Sequence, residues 1–203
     1  MPGAAFFREL GFFVLEDFLD QPSCAELASQ IALTASEKGR VGNRPEDGEG
    51  RLDETVRKVL RARISTPIKQ TIRGELDRLT PHLADHFQMP LTGCDGPHFL
   101  MYGPGAFYKP HEDAAGVALD RPHRAVSIVL FLNARSEHPG PNAYGGGSLT
   151  FHGLLKGAPW DRCPFSLDVS PGTLVGFPSS VVHEVGPVTF GHRCTMVAWL
   201  TTG

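Results

Sequence analysis

The sequence predicts an α+β fold, mainly β, in which helices come first and a roll of short strands follows. Two amphipathic stretches occupy the first half. From His98 onward, short β-rich runs alternate with turn signals, a pattern that argues for a sandwich or barrel. No repeat and no second composition regime interrupts the chain. Residues 1–203 therefore read as one domain, 1–95 its helical part and 96–203 the β-roll.

The opening stretch M-P-G-A-A-F-F-R-E-L-G-F-F-V-L-E-D-F-L-D is apolar, but Arg8, Glu9, Glu16 and Asp17 interrupt it. Without a basic leader or a small-residue cleavage site it does not read as a signal peptide. Asp20 or Ser23 is expected to cap a helix through A-E-L-A-S-Q-I-A-L-T-A, with Leu27 and Ile31 on one face. The glycine-rich, charged G-R-V-G-N-R-P-E-D-G-E-G-R lacks any period and reads as a mobile loop. The next run, R-L-D-E-T-V-R-K-V-L-R-A-R-I, fits a helix through Leu52, Val56, Val59 and Leu60, or a strand through Val56, Leu60 and Ile64. Its basic residues Arg51, Arg57, Lys58, Arg61 and Arg63 read as a solvated face, with a substrate-facing rim as the sharper alternative. Thr66 and Pro67 open a second helix, along which Ile68, Ile72, Leu76, Leu79, Leu83 and Phe87 recur at helical spacing. Pro81 is expected to kink or split it, with Thr80 capping the second piece.

The strand-like runs are H-F-L-M-Y, A-V-S-I-V-L-F-L-N, S-L-T-F-H, T-L-V-G-F, S-V-V-H-E-V and C-T-M-V-A-W-L. Gly145, Gly146 and Gly147 read as a tight turn into a strand, since no helix with Lys-Ser/Thr follows to make a phosphate loop. Trp160 and Trp199 read as core or rim aromatics.

At 41% hydrophobic and 20% charged residues, with a net charge of -3, the composition is that of a globular protein and points to neither a nucleic-acid nor a membrane partner. No apolar run approaches a membrane span. Cys24, Cys94, Cys163 and Cys194 form no C-x-x-C, which suits reduced thiols and a cytoplasmic location and offers neither a zinc ribbon nor a redox pair.

The chemistry-bearing stretch is F-Y-K-P-H-E-D-A, Phe107 to Ala114. In a strand, His111 and Asp113, two apart, point to one face. His183 lies in another strand-like run, V-V-H-E-V, and Arg193 opens the last strand ten residues later. Two neutral imidazoles and one carboxylate make the facial triad of non-haem ferrous oxygenases, which leaves three positions open. Those positions suit a bidentate 2-oxo acid and dioxygen. A dicarboxylate would leave a far carboxylate for Arg193 to grip, with Thr195 on the same strand face. The other histidines (His82, His86, His98, His123, His138, His152 and His192) lack such a partner pattern and read as structural or surface residues.

From about His98 to the C-terminus the chain resembles the iron(II)- and 2-oxoglutarate-dependent oxygenases, most closely their prolyl 4-hydroxylase-like branch. Y-G-P-G-A-F-Y-K-P-H-E-D, R-A-V-S-I-V-L-F-L-N, G-G-G-S-L-T-F, S-P-G-T-L-V-G-F-P-S and H-E-V-G-P-V-T-F-G-H-R carry the resemblance, in family order. It implies a double-stranded β-helix, a cupin-like jelly roll with helices outside, and His111 and Asp113 on one strand. It also implies His111, Asp113 and His183 as iron ligands, Arg193 as the anchor of 2-oxoglutarate, and Tyr102 as a co-substrate contact. Where some prolyl hydroxylases carry a tyrosine before L-N, this chain has Phe131; Thr195 or Tyr102 is the substitute for that hydroxyl.

The implied activity is hydroxylation of a C–H bond in a prolyl residue, an amino acid or a small molecule. Fe(II), 2-oxoglutarate and O2 take part, succinate and CO2 are released, and ascorbate is a candidate accessory reductant. Two rivals stand beside it: a cupin-like metal dioxygenase or isomerase without 2-oxoglutarate, which would not need Arg193, and a roll that senses metal or ligand without turnover. The substrate and the oligomeric state are open at this level; the loops Val41 to Asp53 and Arg135 to Gly147 are expected to shape the pocket.

Overall fold

A computed structural model describes residues 4–41, 51–114, 122–154 and 163–203. In chain order the first elements are α1 (Ala4–Glu9), β1 (Phe13–Leu15), α2 (Gln21–Thr34), β2 (Ala35–Lys38), β3 (Arg57–Lys58), β4 (Leu60–Ala62) and α3 (Thr66–Phe87). The roll follows with β5 (Gly93–Tyr102), β6 (Phe107–His111), β7 (His123–Phe131), β8 (Ala134–Arg135), β9 (Ala143–Gly146) and β10 (Leu149–Phe151). It is completed by β11 (Phe165–Leu167), β12 (Leu174–Pro178), β13 (His183–Val185), β14 (Val188–Phe190) and β15 (Arg193–Thr202).

Asp20 is the cap of α2: its carboxylate accepts from the Ser23 amide at 2.7 Å, and Pro22 occupies the first turn, where no amide hydrogen is needed. Cys24, Leu27, Ala28 and Ile31 form the buried stripe of that helix. The expected split of the second helix does not occur, because α3 runs from Thr66 to Phe87 with Pro81 inside it. Pro81 deprives the Asp77 carbonyl of its donor, but both residues are exposed and water can replace that bond. Thr80 caps nothing; its hydroxyl donates back to the Leu76 carbonyl at 2.9 Å. The helix ends at Gln88 in the left-handed conformation.

The first half is less helical than expected. The ambiguous run after Arg51 resolves into strands β3 and β4, and the residues ahead of residue 96 supply edges to both main sheets. One sheet has the order β1-β12-β7-β15-β5-β4-β2, the other β11-β10-β13-β6-β3, and β14-β9-β8 makes a small third sheet. Short edge strands of this kind cover hydrogen-bonding groups that the central strands would otherwise expose. Of the glycine-rich stretch, residues 42–50 fall outside the described residues, as does Trp160; Val41 and Arg51 pair as an isolated bridge at its ends. The segment from Arg135 to Gly147 is partly regular, with β8 pairing in parallel to β9, and the expected turn is made by Gly146 and Gly147 at positive φ.

The strand period separates two cores. On β15, Cys194, Met196, Ala198 and Leu200 face a cluster with Leu27, Ile31, Leu76 and Leu83 of the helices. The alternate residues turn toward the second sheet, where Leu100, Tyr102, Phe131, Val175 and Phe177 meet Leu149, Phe151, Leu167 and Val185. Helices, large sheet and small sheet thus form successive layers, and the site lies between the two sheets. Leu76 is fully buried between α3 and the large sheet. Leu76→Ala is expected to lower stability by about 2–5 kcal/mol, measured by denaturant unfolding, and to leave metal affinity unchanged because it lies on the other side of that sheet.

Candidate metal centre

The register of β6 and β13 sets His111 directly opposite His183, and Phe151 of β10 lies opposite His183 on its other side. The two imidazoles sit with ring centroids 4.3 Å apart. Asp113 does not share a strand with His111, contrary to the spacing argument: β6 ends at His111 and Asp113 lies in the bend beyond it. The chain turns there because Ala114 donates its amide to the Ser179 carbonyl at 3.0 Å rather than continuing the ladder. The carboxylate still reaches the histidines, with Oδ1 3.5 Å from His111 Nε2 and Oδ2 3.5 Å from His183 Nε2. The ligand atoms of His111, Asp113 and His183 all lie within 4.8 Å of one another, and among the described residues no other group of three such side chains converges in this way.

Both rings are oriented by the protein. His111 Nδ1 is 2.8 Å from the Lys109 carbonyl and His183 Nδ1 is 2.9 Å from the Val181 carbonyl. A carbonyl can only accept, so each Nδ1 carries the proton and each Nε2 presents a lone pair to the shared point. Asp113 Oδ2 accepts from Ser127 Oγ at 2.7 Å, and Ser179 Oγ lies 2.9 Å from Ser127 Oγ. With the Ser127 proton committed to the carboxylate, Ser179 must donate to Ser127, which gives a one-way chain of hydroxyls ending on Asp113. The Trp199 indole also donates to Asp113. Burial pushes the Asp113 carboxyl up, but its contacts with His111, His183 and the Trp199 indole outweigh it, and the group titrates below the usual carboxylate range. Burial lowers the His183 pKa against the pull of Asp113. An ionised carboxylate beside two Nε2 lone pairs is the donor set that a divalent metal requires.

Arg193 is 2% exposed, a guanidinium inside the roll. It pairs across the ladder with Tyr102, and its Cζ is 5.4 Å from the Tyr102 ring and 5.3 Å from that of Phe131. Its Nη1 lies 3.5 Å from Thr195 Oγ1, and Nε is buried without any hydrogen-bond partner. Gly147 keeps space beside it, since a Cβ there would sit 2.9 Å from Val188 Cγ2 and 3.2 Å from Arg193 Cδ. A buried cation with an orphaned donor is costly unless an anion completes it. Fe(II) with a chelating dicarboxylate fits this donor set: two imidazoles and a carboxylate for the metal, an unsatisfied guanidinium for a second carboxylate.

The profile of the 2OG-Fe(II) oxygenase superfamily matches residues 97–201, more than half of the chain. The chain belongs to that superfamily. A PKHD-type hydroxylase of Picosynechococcus is 34% identical over 102 residues, which cover 50% of this chain and 40% of that relative's length. A prolyl-4-hydroxylase of Pseudomonas putida superposes with a TM-score of 0.67 at 25% identity, covering 98% of both chains. The fold is also that of a Trichoplax adhaerens prolyl hydroxylase solved with a peptide fragment of the hypoxia-inducible factor oxygen degradation domain; there the TM-score is 0.69 at 19% identity, covering 98% of this chain and 86% of that one.

The structure brings together the expected His111, Asp113 and His183 and sets Tyr102 and Thr195 beside Arg193; several residues around them were not expected from the sequence. Ser127 is a lone hydroxyl in the apolar run A-V-S-I-V-L-F-L, and that break in pattern was its only signal. Ser179 carried none. Tyr108 stacks on His111 with centroids 3.5 Å apart and planes 19° apart, and Arg124, held by Asp95 at 2.7 Å, lies 3.7 Å over Trp199. Trp199 is therefore a wall of the site as well as a rim aromatic. His98 and His152 are structural, engaged by Asp95 at 2.9 Å and Glu184 at 3.2 Å.

Two outcomes follow from these contacts. Asp113→Ala should keep the fold and lose most of the rise in melting temperature that manganese plus 2-oxoglutarate gives the wild type. In metal-free protein, the lowered His183 pKa means that the unfolded chain binds the proton more readily. The stability from neutral His183 is thus fully present above about pH 6.5 and is lost as pH falls through the folded value. Thermal melts should show the wild type losing more stability than His183→Gln between about pH 7 and about pH 5.

Proposed function

We propose that this chain is a 2-oxoglutarate-dependent hydroxylase of the prolyl hydroxylase type, in which His111, Asp113 and His183 hold ferrous iron and Arg193 anchors the far carboxylate of 2-oxoglutarate. The observation that carries the reading is the convergence of two Nε2 lone pairs and one carboxylate in the same roll as a buried guanidinium with an unsatisfied N–H. Iron and 2-oxoglutarate together supply the oxidising chemistry, which places one atom of O2 into a substrate C–H bond and the other into succinate, with release of CO2.

The chain's own residues bind, orient and keep water out. Lys109 and Val181 carbonyls aim the imidazoles, while Ser127 and Trp199 hold the carboxylate. Phe177 and Phe151, 4.9 Å and 6.1 Å from the His183 ring, close the site on the core side. Thr195 and Tyr102 flank Arg193 and take the place of the hydroxyl absent at Phe131. Trp199 offers an aromatic wall beside the ligands, which suits an apolar five-membered ring. That chemistry, with the likeness to the Pseudomonas prolyl-4-hydroxylase and the PKHD-type hydroxylase, favours a prolyl residue of a peptide, or an amino acid of similar shape, as the substrate. The free thiols of Cys24, Cys94 and Cys194 fit a reducing, cytoplasmic setting, and among the described residues no helix is long and apolar enough to cross a membrane.

The deciding experiment incubates the protein with Fe(II), 2-oxoglutarate, ascorbate and prolyl peptides or free amino acids, and reads succinate together with the gain of one oxygen in the substrate. Arg193→Ala should weaken 2-oxoglutarate by about 2–5 kcal/mol in anaerobic calorimetry while changing Mn(II) affinity little. Equal co-substrate affinity in both proteins would overturn the role of Arg193.

A further inference from the structure

Two buried side-chain nitrogens among the described residues have no hydrogen-bond partner, Arg193 Nε and Arg57 Nε. The first suits the carboxylate ligand proposed for Arg193; the second belongs to no ligand contact of the metal centre. Arg57 sits on β3, opposite Tyr108 of β6. Its Cζ is 4.6 Å from the Tyr108 ring centroid, and the His111 imidazole covers Tyr108 at 3.5 Å, nearly parallel. An imidazole that close leaves no room for a guanidinium on the same face, so Tyr108 is sandwiched between Arg57 and His111. Behind Arg57 the backbone closes the column: Nη1 donates to the Arg40 carbonyl at 2.8 Å, and a Cβ on Gly39 would lie 3.2 Å from Arg57 Nε.

We infer that Arg57 is a positioning residue for the metal ligand His111, acting through Tyr108. The inference rests on His111 being a metal ligand. The Lys109 carbonyl holds one edge of the imidazole but leaves the tilt of its plane to whatever packs on its face, and metal ligands need that plane held within about 10–20°. Tyr108 supplies the face. Tyr108 in turn is pinned by a flat cation whose attraction to the ring is of the cation–π kind. An ordinary surface arginine is the competing account, and the contacts oppose it. Arg63 pairs with Glu37 in solvent, with 79% of its side chain exposed, whereas Arg57 joins no ion pair among the described residues and buries an unsatisfied nitrogen. A buried N–H without an acceptor costs stability, and a residue kept for charge alone would not need to sit there. Charge alone also has the wrong sign, since a cation near the site repels a divalent metal.

The test is Mn(II) calorimetry, with Co(II) visible spectra as a report on ligand geometry, on the wild type, Arg57→Ala, Arg57→Lys, Tyr108→Ala and the double variant. Support consists of an about tenfold loss of metal affinity in Arg57→Ala, the scale typical of groups that orient a ligating histidine, with shifted Co(II) bands. Arg57→Lys, which keeps the charge but not the plane, should lose nearly as much. In the Tyr108→Ala background, removing Arg57 should cost nothing further, because the two act in series. Arg57→Lys carries the test if Arg57→Ala does not fold, and Arg63→Ala serves as the neutral control. Unchanged or higher affinity in Arg57→Lys, or an undiminished loss in the Tyr108→Ala background, would overturn the inference. Failure of the wild type itself to bind metal would instead bring down the triad, and this inference with it.

Discussion

His111 and His183 face each other across a single pair of antiparallel strands, and the site depends on that register. A slip of one residue would send one imidazole to the outer face of the small sheet, because side chains alternate along a strand. The ladder on the far side of β13 reinforces the same register, with Phe151 opposite His183 and Leu149 opposite Val185. Those apolar partners are buried, so any slip would expose them as well as misplace the ligand. Ligand geometry and core packing are thereby held by one constraint.

The large sheet does the corresponding work for the other half of the site. Its central strand β15 buries Cys194, Met196, Ala198 and Leu200 against the helices, which obliges Arg193, Thr195, Val197 and Trp199 to face the small sheet. One end of that row carries the guanidinium and the other meets Asp113. The helices contribute no ligand. Their function is to cover the opposite face, so that the inner face is free to carry polar groups whose partners arrive from the second sheet or from bound molecules. Asp113 shows the same logic at smaller scale: off the strand, it is held by Ser127 of β7, by Ser179 after β12 and by Trp199 of β15, three parts of the large sheet.

Much of this was legible in the sequence, and the reasons differ from element to element. Most of the long and buried strands from His98 onward were readable because they are rich in β-branched and aromatic residues and separated by turn residues; β8, β9, β11 and β14 were not, being only two to four residues long. The amphipathic helices were readable from period. The run after Arg51 was not, since its apolar residues satisfy two periods at once; only pairing with β5 and β6 made it strand. Pro81 misled because a proline at an exposed position breaks one hydrogen bond that water can replace. His111 and Asp113 do converge, but through a bend rather than through the strand alternation that their spacing suggested.

By itself the sequence identified the superfamily and its candidate site: two histidines, a carboxylate and an arginine, in an order that resembles the 2OG-Fe(II) oxygenases. Residue types and the order of the motifs that carry the family resemblance suffice for that, because both can be read along the chain before any contact is known. Tertiary structure alone decided which nitrogen of each histidine faces inward, that a pair of serine hydroxyls feeds the carboxylate, and that Arg57 and Tyr108 stack behind His111. The serine pair and the Arg57 stack join residues far apart in sequence, and the histidine rings, though held by carbonyls two residues back, converge only once strands pair and sheets pack. Spacing along the chain does not place these groups against one another, since that is set by the register and layering of the fold.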